Sequence, residues 1–169
     1  MFRTKDFLLM DVIDIKGKKI GFVNDIIVDF SSGEVKGFII SSYKMLQKSL
    51  GVLKEDIVSF NKSMVIDRYR KKDFFTFSNI RNMDIINRNG DIIGMAEDIL
   101  FNEFTFKIHG IVVSTGFIKN LIVGKKIILI NTLIIGEESI LHYSPKNNIS
   151  FITVPHKLFT DDQYDEKSI

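Results

Sequence analysis

The chain has 169 residues, of which 45% are hydrophobic, 26% charged and 11% aromatic, and this composition excludes a disordered or fibrous protein. It contains no cysteine, which excludes disulfide frameworks, cysteine nucleophiles, cysteine zinc sites and iron–sulfur clusters. The formal net charge of +2 is too small to indicate a nucleic-acid-binding protein by itself.

The sequence shows no signal for secretion or for a membrane span. Its first residues lack the apolar run and the small-residue cleavage site of a secretory signal, so we expect a cytoplasmic protein. The most apolar stretch, 108–135, is interrupted by Lys119, Lys125 and Lys126. No apolar run therefore approaches the roughly 18 residues that a membrane-spanning helix needs.

The main feature of the sequence is an internal repeat. Residues 10–41 match residues 83–114 without a gap, so equivalent positions stand at a constant offset. Because each copy is longer than a solenoid repeat, the pattern predicts two small domains, repeat 1 (1–73) and repeat 2 (74–159). Residues 160–169 form an acidic tail that we expect to be mobile. The positions shared at this offset include Gly17 with Gly90, Gly21 with Gly94, Asp25 with Asp98, and Gly37 with Gly110.

In chain order, each repeat begins with a predicted hairpin whose turn contains Gly17 or Gly90. A long strand rich in β-branched and aromatic residues follows, at 20–30 and at 93–103. In repeat 1 the next turn is Ser31-Ser32-Gly33, whereas repeat 2 has Phe104-Thr105-Phe106, which is unusual for a solvated turn. We therefore expect the rings of Phe104 and Phe106 to pack against the other repeat or against a partner.

Further strands complete each repeat. They are predicted at 35–41, 56–60 and 63–69 in repeat 1, and at 107–114, 133–135 and 139–143 in repeat 2. No segment has a convincing helical period, and short apolar strands favour a sheet that closes on itself and so has no free edges. The sequence predicts an all-β fold of two tandem small antiparallel β-barrels, with five or six strands each.

The repeated motif resembles the PRC-barrel family. Repeat 1 follows the family pattern of aspartates, glycines and β-branched residues at 11–21, 23–26 and 33–40, and repeat 2 follows it at 84–94, 96–100 and 108–114. Two departures from the pattern are the missing Pro-Trp pair of the closing element and the missing glycine turn of repeat 2.

The resemblance implies a small β-barrel that serves as an adaptor. The family includes the H subunit of photosynthetic reaction centres, the ribosome maturation factor and small proteins associated with sporulation. A cytoplasmic chain with two copies is similar to the sporulation-associated group. We therefore expect a non-enzymatic binding protein with a protein partner.

The candidate residues for chemistry have mostly structural interpretations. The paired glycines suit turns and close backbone contacts, and Asp25 and Asp98 either accept backbone N–H groups at a barrel seam or face a ligand. The three histidines have no metal-ligand spacing, and no phosphate-binding or nucleophile-elbow motif occurs. We predict no metal, no cofactor and no enzyme activity.

One basic cluster supports an alternative function. It consists of Arg68, Arg70, Lys71 and Lys72. Phenylalanines follow it directly, and a mixture of cations and aromatic rings is typical of single-strand nucleic-acid binding. The alternative hypothesis is an RNA-binding or ribosome-associated assembly factor. The structural interpretation of the same residues is a solvated strand end and linker.

Two apolar loops, 43–51 and 115–126, are predicted to contact a partner or to plug the barrel ends. The predicted contact residues are Met45, Leu46, Phe117 and Ile118, together with Phe104 and Phe106. Residues 1–73 have a net charge of +4 and residues 74–169 a net charge of −2, so head-to-tail self-association is a third hypothesis.

Overall fold

The structure is a computed structural model that describes residues 1–43, 49–116 and 125–143, and the backbone of residues 152–153. The predicted acidic tail, 160–169, lies outside these residues. The described part of the chain contains strands and four single-turn 3₁₀ helices (η). The strands are β1 (Phe2–Arg3), β2 (Asp11–Asp14), β3 (Lys19–Asp29), β4 (Glu34–Ser42), β5 (Leu50–Leu53), β6 (Ile57–Phe60), β7 (Ser63–Ile66), β8 (Asp84–Ile86), β9 (Ile92–Phe101), β10 (Ile108–Ser114), β11 (Lys126–Leu129), β12 (Leu133–Ile135), β13 (Ser139–His142) and β14 (Ile152–Thr153), and the 3₁₀ helices are η1 (Thr4–Asp6), η2 (Lys54–Asp56), η3 (Phe77–Asn79) and η4 (Ile130–Thr132).

The strands form one sheet for each repeat. The sheet of repeat 1 has the order β5-β4-β3-β2-β7-β6. The sheet of repeat 2 has the order β12-β13-β8-β9-β10-β11-β14, and β1 pairs with β9 off this path. Six strands of repeat 2 therefore reproduce the order of repeat 1, which confirms an all-β fold with tandem copies.

The prediction of antiparallel barrels is only partly right. β2 pairs with β7 in parallel and β8 pairs with β13 in parallel, while the other pairs are antiparallel. In the described part of repeat 1, no hydrogen-bonded ladder joins the end strands β5 and β6. The chain instead passes between them through η2, where the Ile57 N–H bonds to the Lys54 carbonyl. On its other side β5 contacts the chain that follows β7 through a bridge between Gly51 and Arg70, so this edge is joined by a bridge and not by a continuous ladder.

The N-terminal arms of the two repeats are exchanged. The arm of repeat 1 forms β1, which pairs with the long strand of repeat 2 so that Arg3 lies opposite Leu100. The arm of repeat 2 pairs with the long strand of repeat 1 through a bridge between Thr76 and Ile27. At the offset of the repeat, Thr76 is the equivalent of Arg3 and Leu100 is the equivalent of Ile27, so the exchange is reciprocal.

A pseudo-twofold axis relates the two repeats. Glu34 and Lys107, which are equivalent positions, form an antiparallel bridge with each other. The Val35 N–H donates to the Phe106 carbonyl at 2.8 Å, and the Ile108 N–H donates to the Gly33 carbonyl at 2.8 Å. This contact joins β4 to β10 and has the self-complementary form of an isologous dimer interface.

One hydrophobic core extends through both repeats. Phe7 is 1% exposed, and its ring centroid lies 4.8 Å from that of Phe38 in repeat 1 and 5.6 Å from that of Phe101 in repeat 2. The buried cluster continues through β-branched residues of both sheets. Full burial of one such ring stabilises the fold by about 1.5–3 kcal/mol. The two repeats therefore pack as one body.

Candidate functional site

The motif glycines have structural roles. Those at which neighbouring backbone comes close are Gly21, Gly37, Gly94 and Gly110. A Cβ on Gly37, for example, would overlap the carbonyl oxygen of Val52. Gly17 and Gly90 are in the hairpin turns, with φ angles of +79° and +85° that L-residues rarely adopt. Strand packing and turn geometry thus account for these glycines without a ligand.

Asp25 holds the arm of repeat 2 against repeat 1. The residue is 6% exposed, and Oδ1 of its carboxylate accepts the Ile26 N–H at 2.8 Å. Oδ2 accepts the N–H of Ser78, in the 3₁₀ turn of the exchanged arm, at 3.1 Å. Both oxygens therefore serve as backbone acceptors.

Asp98 has the reciprocal role. It is 8% exposed, and its Oδ1 accepts the Ile99 N–H at 2.8 Å and the N–H of Thr4 in the other arm at 3.0 Å. Both aspartates accept backbone N–H groups, which is one of the two roles considered for them, but the bonds to Ser78 and Thr4 join the two repeats and do not lie at the seam of a barrel.

The turn after the long strand is the same in both repeats, although their sequences differ. In repeat 1 the Asp29 carboxylate accepts the backbone N–H groups of Ser31 and Ser32. In repeat 2 the Oδ1 of Asn102 accepts the N–H groups of Phe104 and Thr105, both at 2.9 Å. The glycine turn that repeat 2 lacks in sequence is therefore retained in structure, because Asn102 supplies the same acceptor.

Phe104 and Phe106 lie on opposite sides of this turn. Phe106 takes the left-handed conformation of Gly33, with φ of +58° against +65°, and its ring packs on Phe38 and Phe60 of repeat 1. Phe104 points outward and is 86% exposed. The structure thus places one ring in the interface between the repeats and the other at the surface.

The basic cluster is divided by a buried carboxylate. Asp56 has a fully buried side chain that forms ion pairs with the guanidinium groups of Arg68 and Arg70. A buried carboxylate requires such partners, since an unpaired charge is costly inside a protein. Lys71 and Lys72 have no acidic partner within the described residues. Arg68 also remains accessible to a ligand, since its side chain is 69% exposed beside Asp56, whereas that of Arg70 is 34% exposed.

The predicted contact residues of the two apolar loops fall outside the described residues. Met45, Leu46, Phe117 and Ile118 are all in this group, so the prediction that the apolar loops contact a partner stays a prediction. At the described end of the first loop, the Tyr43 hydroxyl donates to the Asp11 carboxylate, and this bond raises the pKa of Tyr43.

The two described histidines have different environments. His142 is 4% exposed, and its burial lowers its pKa, whereas His109 is exposed. His156 lies outside the described residues. Across the three described ranges, no group of three or more His, Asp or Glu side chains could hold a metal ion.

A cavity of about 560 Å³ lies where β3 meets the linker between the repeats. Its lining side chains include Asn24 and Asp25 of β3, Lys71 and Lys72 of the linker, and Thr76 of the exchanged arm. The sequence pattern did not single out Asn24 or Thr76. A comparison of the repeats could have revealed Asn24, because Glu97 stands at its place in repeat 2 beside the otherwise matching Asp98.

The family model described as PRC-barrel domain matches the chain twice, over residues 1–71 and 72–158. No curated protein matches the chain. Within the part of the chain that the structure describes, no helix is long and apolar enough to span a bilayer. The two matches cover nearly the whole sequence and coincide with the two copies of the fold. The chain therefore belongs to the PRC-barrel family.

Proposed function

We propose that the chain is a non-enzymatic PRC-barrel adaptor that works in the cytoplasm, in a process related to sporulation, by binding a protein partner through its rims and loops. The doubled domain supports the proposal, because it presents two copies of one binding fold. The repeated aspartates also support it, since Asp25 and Asp98 already accept backbone N–H groups and need no catalytic role to explain them.

The observation that carries the proposal is the exposed ring of Phe104. Its turn is fixed on one side by the Asn102 side chain and on the other by Phe106, which is anchored between the repeats. A large aromatic side chain held outward on a fixed turn can enter a partner's pocket at little entropic cost, as anchor residues of interfaces do. The equivalent residue of repeat 1 is Ser31, so the fold itself does not need an aromatic ring at this position.

The test is affinity purification of the tagged full chain from its native cells, with and without RNase, followed by mass spectrometry. We expect a discrete protein that wild type captures in both conditions and that Phe104→Ser does not capture. Val58→Ser is the matched control, because Val58 is another exposed apolar side chain, with 61% of its surface accessible. Equal capture by wild type and Phe104→Ser would contradict the role of this ring.

The same purification tests the RNA-binding alternative. That alternative uses the basic cluster of Arg68, Arg70, Lys71 and Lys72; Asp56 pairs with both arginines, but the Arg68 side chain is still 69% exposed. Ribosomal proteins that disappear on RNase treatment would support it. Self-association is tested by sedimentation of wild type and Phe104→Ser, where a dimer that is lost in the variant would make a second copy the partner.

A further inference from the structure

The cavity beside β3 has walls from three parts of the chain. Asn24 and Asp25 come from β3, Lys71 and Lys72 from the linker, and Ser78 from the exchanged arm of repeat 2. At about 560 Å³ it has the volume of a small-molecule site and exceeds what a single inorganic ion needs. The exchange of arms creates this space, since linker and arm close it over the long strand of repeat 1.

The positive charge of the cavity is available to a ligand. Lys71 is exposed and has no partner among the described residues. Lys72 lies with its Nζ 4.8 Å from the ring centroid of Phe74, a contact that leaves its ammonium donors free. Ammonium groups are effective donors to phosphate oxygens, and such charge-assisted bonds are about twice as strong as neutral ones.

The cavity lining also contains two carboxylates, those of Asp25 and Asp73. Asp25 directs both carboxylate oxygens to backbone N–H groups, which stabilise its ionised form and leave its negative charge in place. Asp73 is exposed at the rim and is the carboxylate that opposes an anion there. The Asn24 amide and the Ser78 hydroxyl add neutral hydrogen-bonding groups to the lining, whereas the Thr76 hydroxyl already donates to Asn79 Oδ1.

Repeat 2 does not preserve this arrangement. At the position of Asn24 it has Glu97, whose carboxylate forms an ion pair with Lys125. A second carboxylate next to Asp98 would repel an anion, and Lys125, the described lysine that contacts it, is already paired with it. The repeats therefore share the aspartate that holds the arm and differ in the residues that could bind a charged ligand.

We propose that the cavity of repeat 1 binds a phosphoryl group through Lys71 and Lys72, with Asn24 as a neutral hydrogen-bonding neighbour. The phosphoryl group belongs either to a small phosphorylated molecule or to a nucleic-acid backbone, and both present the same oxygens. This site is separate from the proposed partner surface, because Phe104 does not line the cavity. The two proposals can therefore fail independently.

The experiment is isothermal titration calorimetry of the full chain with inorganic pyrophosphate and, in a separate arm, with a short single-stranded RNA. We expect wild type to bind pyrophosphate and the double variant Lys71→Ala/Lys72→Ala to bind it at least about tenfold more weakly, because two charge-assisted contacts are removed. Asn24→Glu, which introduces the residue of repeat 2, should weaken binding similarly. Asp73→Asn should strengthen it.

The matched control is Lys18→Ala/Lys19→Ala, which removes the same charge from an exposed hairpin outside the cavity. It should change the affinity by less than about twofold, since exposed distant charges are screened. Denaturation of each variant checks that it is folded.

The outcomes separate the two sources of phosphate. Pyrophosphate binding that depends on the two cavity lysines, without RNA binding, supports a small phosphorylated molecule. RNA binding that depends on the same lysines and on Asn24 supports the same chemistry from a nucleic-acid backbone. Failure of wild type to bind either probe at millimolar concentration would overturn the proposal. An equal loss in the Lys18→Ala/Lys19→Ala control would overturn it too, because the attraction would then be general.

Discussion

Leu9 and Asn82 are equivalent residues that adopt the same rare backbone conformation. Their φ angles are +66° and +67°, and their N–H groups donate at 2.8 Å to the carbonyls of the equivalent residues Val23 and Ala96. Asparagine tolerates the left-handed region better than leucine does, because its short polar side chain can form local hydrogen bonds. Leu9 is 75% exposed, so burial of its side chain contributes little stabilisation against the cost of this backbone conformation.

We predict that Leu9→Asn raises the free energy of unfolding by up to about 1 kcal/mol, since the left-handed conformation costs an ordinary residue about 1–2 kcal/mol. Asn82→Leu should lower it by a similar amount. Urea denaturation of both variants measures the two changes. Loss of stability in Leu9→Asn would show that the leucine side chain makes a contribution beyond its backbone conformation.

Asp29 and Asn102 form the same turn with different titration behaviour. The Ser31 hydroxyl donates to Asp29 Oδ1, and this bond, with those from Ser32, lowers the pKa of Asp29 well below its ordinary value of 3.8. A lowered pKa in the folded state means that the ionised carboxylate stabilises the fold above pH 3.8, and that this contribution is lost as the pH falls below that value. Asn102 keeps the backbone acceptor without the charge.

Asp29→Asn should therefore be less stable than wild type at neutral pH, and the difference should shrink as the pH falls below about 4. Asparagine retains the bonds to the backbone N–H groups but not the charge-assisted bond to the Ser31 hydroxyl. Denaturation at neutral and acidic pH measures the difference. A difference in unfolding free energy between wild type and variant that stays constant with pH would contradict the lowered pKa of Asp29.

At the scale of elements, the reciprocal arms are held by two aspartates with different bonding. Asp98 accepts both of its backbone N–H groups with Oδ1, whereas Asp25 uses Oδ1 for Ile26 and Oδ2 for Ser78. An asparagine has one carbonyl oxygen and one NH₂ group, so it can reproduce the first pattern but not the second.

We predict that Asp25→Asn lowers the free energy of unfolding by about 1–3 kcal/mol, because the part-buried N–H of Ser78 loses its charged acceptor. Asp98→Asn should lower the free energy of unfolding by clearly less. Thermal and chemical denaturation of the pair provides the comparison, and each variant serves as the control for the other. Equal losses would mean that charge, and not the number of oxygen acceptors, holds the arms.

The elements themselves were largely predictable from sequence. Alternation of β-branched residues and the constant offset between matching positions predicted the strands, the duplication and the family. The turn of repeat 2 could not be predicted from Phe104 and Phe106, because the residue that builds the turn is Asn102, which precedes them. The parallel pairs β2–β7 and β8–β13 were not predicted, because the residue pattern of a short strand does not indicate whether its neighbour runs parallel or antiparallel to it.

The arm exchange could not be derived from hydrophobic pattern alone. An apolar arm satisfies its pattern on the sheet of either repeat, and each sheet has an equivalent aspartate acceptor, Asp25 or Asp98, so neither feature indicates which sheet the arm joins. A signal was nevertheless present, since Phe2 and Phe75 also match at the offset of the repeat, outside the matched segment. The cavity followed from the same exchange and could not be predicted without it.

At the scale of the whole molecule, the shared core predicts one cooperative unfolding transition. Phe7 links rings from both repeats and is almost fully buried. Phe7→Ala should lower the free energy of global unfolding by about 3–5 kcal/mol, the usual cost of deleting a buried ring. Hydrogen exchange should show the same loss in β3 and in β9.

The exposed Phe104→Ser variant is the control for this measurement and should leave the unfolding free energy nearly unchanged. Two separate transitions, or a loss of protection confined to one sheet, would contradict the view that the repeats form one cooperative unit.

The bridge between Glu34 and Lys107 has a consequence for how such a molecule can evolve. At the axis of an exact twofold dimer, a residue faces another copy of itself, so a charged residue there meets its own sign and is repelled. Here the two halves are joined in one chain and have diverged, and a glutamate lies opposite a lysine. Covalent duplication thus allows unlike charges at the one place where two identical chains could offer only like ones.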